Sequence, residues 1–270
     1  MIEVTIWIFS HSRPEMVQRC LELAHENTHI PHRLVVFHDG PDPIHIKEKE
    51  DMDVETWVFD ERLSIGRKKD LMVKNTRTPY LTKLDCDIET DPFGIDMEVL
   101  QLNEGPDDLG AVSSLRRING VEPRFCGVGH FINAFGCIWV EHIPVKKIRS
   151  HAPDLFYGEM VAEGLCTFKM KMFKEVYYDP EYELGYSHPD LFLQMKAKGW
   201  KTATLPYMFF NEVKGDYVNL REKRRDYLDQ SRALFYQKWG LKFADAYAQE
   251  TRPRLFYRLN SLLGKVWARL

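Results

Sequence analysis

Apolar residues near the start of this chain come in short unbroken runs, and each run ends in polar or turn-forming residues. Val4-Thr5-Ile6-Trp7-Ile8-Phe9 is β-branched and aromatic and stops at Ser10-His11-Ser12-Arg13-Pro14, which predicts a strand, a loop and a helix opened by proline. From about Pro14 to Glu26 the spacing changes, and Met16, Val17, Cys20, Leu21 and Ala24 fall on one helical face. Leu34-Val35-Val36-Phe37 predicts a second strand, ended by the turn cluster His38-Asp39-Gly40-Pro41-Asp42. A strand over Thr56 to Phe59, a helix from about Ile65 to Asn75 and a strand from Tyr80 to Leu84, ending on Asp85-Cys86-Asp87, continue the alternation. Such alternation implies an α/β fold with a mostly parallel sheet covered on both faces. The ligand crevice of such a sheet lies off the carboxyl ends of its strands, so Ser10, Asp39 and Asp85-Cys86-Asp87 should converge on one edge.

Beyond Leu109 the pattern loosens. Up to about Phe173 the chain is rich in glycine and aromatics and reads as a mixed region of strands and loops, with Gly127, Gly129 and His130 suggesting a flexible loop near the acceptor, although glycines in ordinary turns are the default explanation. A helix follows Pro189 and ends at Lys198-Gly199-Trp200; Thr202 to Leu205 reads as a strand and Asn219 to Trp239 as a long polar helix. The division expected is a domain over 1–240 and a helical appendage over 241–270. In that appendage Leu255, Phe256, Leu259, Leu262, Leu263, Val266, Trp267 and Leu270 recur at helical spacing among Arg252, Arg254, Arg258, Lys265 and Arg269. This basic amphipathic helix suits either an anionic membrane interface or a protein groove, on its own domain or on a second subunit.

Bulk properties narrow the partners. A formal charge of -3 over 270 residues gives no general surface for nucleic acid, so any anion site must be local. Five cysteines without CxxC spacing read as reduced thiols in a cytosol. The first apolar run lacks the layout of a signal peptide, and no run approaches the roughly 20 apolar residues that span a bilayer. The expected location is cytoplasmic, with membrane attachment only from one side.

Chemistry concentrates at Asp85-Cys86-Asp87. Two carboxylates one residue apart at the end of a buried strand are costly without a compensating cation or donors. Hard oxygen ligands suit Mn²⁺ or Mg²⁺, which complete their shell with substrate phosphates and water. Cys86, between the two aspartates, should point back toward the core.

In order and spacing these segments resemble family 2 glycosyltransferases. Ile8-Phe9-Ser10-His11-Ser12-Arg13-Pro14-Glu15 is similar to the family's first strand and nucleotide loop, and Val35-Val36-Phe37-His38-Asp39-Gly40 to its second strand with a base-contacting aspartate. Ile65-Gly66-Arg67-Lys68-Lys69-Asp70 resembles the glycine-arginine stretch, and Tyr80 to Asp87 the metal motif with its strand. The resemblance covers about Val4 to Phe210 and implies a GT-A fold: a mixed, mostly parallel sheet flanked by helices. It also implies a nucleoside-diphosphate-sugar donor, UDP-sugars favoured, a glycan or lipid-linked hydroxyl acceptor, and inversion at the anomeric carbon. By position, Ser10, Asp39 and Arg67 would hold the nucleoside, Asp85 the ribose or metal, and Asp87 the metal.

The chain departs from the family at the base. The family's Glu-Asp pair falls on Ser187-His188, leaving Asp190 as first candidate for the base, His188 as second and Glu183 as third; a carboxylate at Asp190 equally suits a helix N-terminus. The metal-binding histidine common after the next strand is replaced by Asn211-Glu212. Two other functions fit the same architecture: a sugar-nucleotide-forming nucleotidyltransferase, against which the glycine-free Ser10 to Pro14 loop argues, and a non-catalytic sugar-binding protein.

Overall fold

The structure, a computed structural model, describes residues 2–11, 13–47, 52–134, 136–151, 154–162, 164–214 and 221–243. The tail helix expected within 244–270 lies outside the described residues.

The first half alternates as the apolar runs require: β1 (Val4–Ser10), α1 (Pro14–Glu26), β2 (His32–His38), β3 (Val54–Val58), α2 (Ile65–Asn75), β4 (Tyr80–Asp85) and β5 (Ile88–Thr90). Then follow α3 (Gly94–Glu104), β6 (Leu109–Ile118), β7 (Phe125–Ala134), β8 (Cys137–Pro144), α4 (Val145–His151), β9 (Phe156–Gly158), β10 (Leu165–Lys169), a 3₁₀ turn (Met170–Lys174), α5 (Ser187–Ala197), β11 (Lys201–Glu212), α6 (Arg221–Trp239) and β12 (Lys242–Phe243). The main sheet runs β3-β2-β1-β4-β10-β6-β11-β5, with β9 added beside β11. β1 is parallel to β2 and β4, whereas β10 runs antiparallel between β4 and β6, so the sheet is mixed.

Both faces are covered, which is why β1 is apolar without alternation. Val4, Ile6 and Ile8 join a core with Val17, Cys20 and Leu21 of α1 and Val99 and Leu102 of α3. Trp7 and Phe9 pack on the opposite side with Met72 of α2, Phe192 of α5 and Phe235 of α6. Each such fully buried side chain contributes about 1.5–3 kcal/mol.

The region read as mixed contributes β6, β9 and β10 to the main sheet, and its β7 and β8 join β12 in a second sheet, β12-β8-β7. Gly127, Gly129 and His130 are therefore strand residues, not a flexible loop: Gly129 pairs with His142 and exchanges backbone hydrogen bonds with Met160. β11 is longer than the Thr202 to Leu205 run because Pro206, which has no N–H to give the ladder, is absorbed in a register shift between Leu205 and Phe209.

Two carboxyls among the described residues are wholly inside, Asp190 and Glu98. Glu98 of α3 accepts hydrogen bonds from the Ser114 amide (2.6 Å), Ser114 Oγ (2.7 Å) and Thr167 Oγ1 (2.6 Å), with no cation in that set. Burial outweighs these bonds and pushes its pKa up to about 8. None of the five cysteines is in a disulfide. Among the described residues no helix is long and apolar enough to cross a membrane.

Candidate active site

The register of the parallel strands assembles the site. Ser10 lies opposite His38 and Phe9 opposite Asp85, so β1, β2 and β4 end level with one another. His38 donates from Nε2 to the Asp42 carbonyl (2.7 Å), which leaves Nδ1 to accept from Ser10 Oγ (3.1 Å). The turn beyond β2 needs Gly40: a Cβ there would stand 1.7 Å from the His11 carbonyl oxygen.

Asp39 is 2% exposed, yet ionised. Its Oδ1 accepts from Lys68 Nζ (2.5 Å) and His11 Nδ1 (3.1 Å), and its Oδ2 from the Leu63 amide (2.7 Å). Burial opposes the charge, but the His11 hydrogen bond and the Lys68 ammonium hold the carboxyl below its usual range. Lys68 sits on α2, which Ser64 caps by accepting from the Arg67 amide (3.1 Å). Gly66 lets that helix approach the 179–180 loop, where a Cβ would come within 2.1 Å of the Asp179 carbonyl oxygen. Arg67 points elsewhere: its side chain is 53% exposed and faces Asp70 at 3.8 Å. The cation delivered to Asp39 is thus the neighbour of the predicted arginine.

Asp85 closes β4 with its side chain 41% exposed, and Asp87 lies in the turn before β5 with only 8% exposure. Each carboxylate has a resident cation. Lys83, two residues back on the same face of β4 and buried, approaches Asp85 Oδ2 to 2.6 Å. Arg13 Nη2 is hydrogen-bonded to Asp87 Oδ2, and its Nη1 donates to the Val213 carbonyl (3.2 Å). The Asp87 carbonyl in turn accepts from the Val213 amide (2.8 Å), which fixes the end of β11 against the aspartate turn. Cys86 is buried, its thiol 3.8 Å from the Arg13 carbonyl oxygen; burial and the flanking aspartates push its pKa up to about 12. It is a core thiol.

Metal chemistry is constrained by this donor set. Among the described residues no group of three or more His, Cys, Asp or Glu side chains could enclose a metal. Glu212 and Asn211, at the family's histidine position, are engaged by Arg116 (3.1 Å) and Glu89 (2.9 Å). Asp85 and Asp87 alone suit a hard cation that draws its remaining ligands from phosphate and water, as Mn²⁺ and Mg²⁺ do. They do not make an all-protein cage.

Each candidate for the base is engaged by partners of its own. Asp190, in the first turn of α5, has no exposed surface. Its Oδ1 accepts from Trp239 Nε1 (2.7 Å) and its Oδ2 from Lys238 Nζ (2.9 Å) and Gln194 Nε2 (2.8 Å); burial raises its pKa despite the ammonium. His188 is 5% exposed, donates from Nε2 to the Val161 carbonyl (3.0 Å) and packs edge-on against Phe192. Glu183 pairs with Arg62 at 2.9 Å.

The sequence reading gave no role to Arg13, Lys68 or Lys83, although two signals were present. A lysine inside an otherwise apolar strand two residues before Asp85 must share its face, and Arg13 stands in the loop between β1 and α1.

No family profile and no curated protein sequence matches the chain. Solved structures do. The chain is similar to GalNAc-T7 in complex with UDP, GalNAc and Mn²⁺, at 16% identity and a TM-score of 0.63 over 89% of this chain and 51% of that one. It is also similar to the mannosyltransferase PcManGT from Pyrobaculum calidifontis in complex with GDP-Man and Mn²⁺, at 13% identity and a TM-score of 0.56 over 87% of this chain and 64% of that one. The chain thus spans about half to just under two thirds of these neighbours. The mixed, mostly parallel sheet flanked by helices is therefore the GT-A fold that these two structures have.

Proposed function

We propose that this protein transfers a hexose from a nucleoside-diphosphate sugar to a hydroxyl acceptor, with inversion at the anomeric carbon. The observation that carries the reading is the level ending of β1, β2 and β4, which brings Ser10, Asp39, Asp85 and Asp87 to one edge of a GT-A sheet. Neighbours of this fold are found with UDP and Mn²⁺ and with GDP-Man and Mn²⁺, in keeping with a nucleotide-sugar donor here.

In this reading Ser10 and Asp39 position the nucleoside, and the Lys68 ammonium keeps Asp39 ionised and oriented. Asp85 and Asp87 would hold Mn²⁺ or Mg²⁺, which supplies charge neutralisation for the departing diphosphate. The acceptor oxygen forms its bond to the anomeric carbon as the bond to the β-phosphate oxygen breaks and the electron pair leaves with the nucleoside diphosphate. The acceptor proton passes to a base, for which Asp190 and His188 are the named candidates. Asp190 reaches an acceptor only where α6 withdraws, since Lys238 and Trp239 of that helix occupy it. The acceptor would be a glycan or a lipid-linked hydroxyl, and the tail helix would dock on a membrane or on protein.

Release of nucleoside diphosphate tests the proposal. UDP- and GDP-sugars are incubated with the protein and Mn²⁺; steady release supports transfer or hydrolysis at this site. The closed-off Asp190 favours one competing reading, a sugar-binding protein that has lost turnover. Donor binding without release would establish it.

A further inference from the structure

The two metal-motif carboxylates are each neutralised by a cation of the chain itself, Asp87 by Arg13 and Asp85 by Lys83. The Arg13–Asp87 contact is not a surface pairing, and Lys83 is buried although Asp85 is 41% exposed. The Arg13 side chain is 18% exposed, that of Lys83 4%, and that of Asp87 8%. At such burial the Arg13 and Asp87 charges are poorly screened, so the balance between them decides what else can enter.

We infer that Arg13 is a resident counter-ion that competes with the metal for Asp87 and makes metal and nucleotide load together. The inference rests on the glycosyl-transfer reading above and concerns only how its site is filled. With Arg13 and Lys83 in place the four charges cancel, and a divalent cation arriving alone meets a neutral site and a positive guanidinium. Arriving with a diphosphate, the cation brings its own compensating negative charge. The displaced guanidinium then has a phosphate to meet, for which its planar fork is well suited. Affinity for Mn²⁺ should thus depend on the nucleotide, and by linkage affinity for the nucleotide should depend on Mn²⁺ to the same degree. The Arg13 to Val213 hydrogen bond extends the coupling to the end of β11, since release of Arg13 also removes a donor from the Val213 carbonyl.

The test measures binding, not turnover. Mn²⁺ affinity is read from the electron paramagnetic resonance signal of unbound Mn²⁺, for the full chain alone and with saturating UDP or GDP. The wild type should bind Mn²⁺ at least about 10-fold more tightly with one of these nucleotides than without. Arg13→Gln should tighten nucleotide-free Mn²⁺ binding by about 10-fold and shrink the coupling, whereas Arg13→Lys, which keeps the charge, should stay close to wild type. Thermal unfolding of both variants establishes that they are folded. Equal Mn²⁺ affinity in Arg13→Gln and wild type, or in wild type with and without both nucleotides, overturns the inference while leaving the metal site standing. Mn²⁺ binding that is unchanged in Asp87→Asn, or undetectable in every form, overturns the metal assignment itself.

Discussion

Trp239 Nε1, at the last residue of α6, donates a 2.7 Å hydrogen bond to Asp190 Oδ1, in the first turn of α5. Lys238 holds the other oxygen at 2.9 Å, so one fully buried carboxylate fastens the last long helix to the body of the domain. A carboxylate at the start of a helix is favourably placed in any case. Here it also takes two side chains from a helix far away in sequence.

This arrangement makes the base question decidable. Asp190→Asn leaves Lys238 facing a neutral amide, and loss of one partner of a buried pair should lower stability by about 3 kcal/mol, read as a fall in the midpoint of denaturant unfolding. If Asp190 is also the base, transfer falls by about 10²-fold or more at saturating donor under conditions where the variant is folded. Full kcat in folded Asp190→Asn assigns the residue to anchoring alone, and loss of transfer in His188→Ala then passes the role to the histidine.

Glu98 predicts an unusual pH dependence. Its folded pKa of about 8 lies above the usual 4.5, so the folded protein holds a proton that the unfolded chain releases. The contribution is fully present below about pH 4.5 and is lost as pH rises through 8, a change on the order of a few kcal/mol. Glu98→Gln keeps a carbonyl for the Ser114 amide and offers a donor to Thr167 Oγ1 without a titratable group. The wild-type melting temperature should fall between pH 6 and 9, and Glu98→Gln should remove most of that fall. Identical slopes for the two proteins would contradict the assignment.

Asp39 should act in donor binding more than in chemistry, because a contact to the nucleoside is made equally in ground and transition states. Asp39→Asn is expected to raise the donor KM by about 10-fold or more with little change in kcat, corresponding to the loss of a charge-assisted hydrogen bond. An unchanged KM with a much lower kcat would place the residue in the reaction itself.

Much of the first half was legible because local and tertiary demands coincide there. The helix from Pro14 to Glu26 has proline at its start and one apolar face, and the helix from Ile65 to Asn75 is capped by Ser64; both have the predicted bounds. The α3 helix was not read. Phe93 at its N-cap adopts a left-handed backbone with no side-chain cap, and its buried residues, among them Ile95, Asp96, Glu98 and Val99, leave little polar face to set a period. Gly129 and His130 looked like loop because glycine is the common turn residue, yet cross-strand pairing with β8 overrode that preference, while Gly127 lies in the register shift between Phe125 and Gly129 with a left-handed backbone. The strand-end aspartates could be placed by topology alone. Their partners could not: that Lys68 rather than Arg67 turns toward Asp39 depends on one step of helix rotation, and that Asp190 lies beneath α6 depends on a contact 49 residues distant.

In the proposed reaction Asp85 and Asp87 form the metal and diphosphate site. The most direct test is nucleoside diphosphate release from UDP- and GDP-sugars, measured with Mn²⁺ and with chelator, in wild type and in Asp87→Asn, whose charge is removed with little change of shape. The account predicts Mn²⁺-dependent release by the wild type, and release by the folded Asp87→Asn protein lowered by about 10²-fold or more. Release by Asp87→Asn at the wild-type rate, with the same response to Mn²⁺, would contradict it.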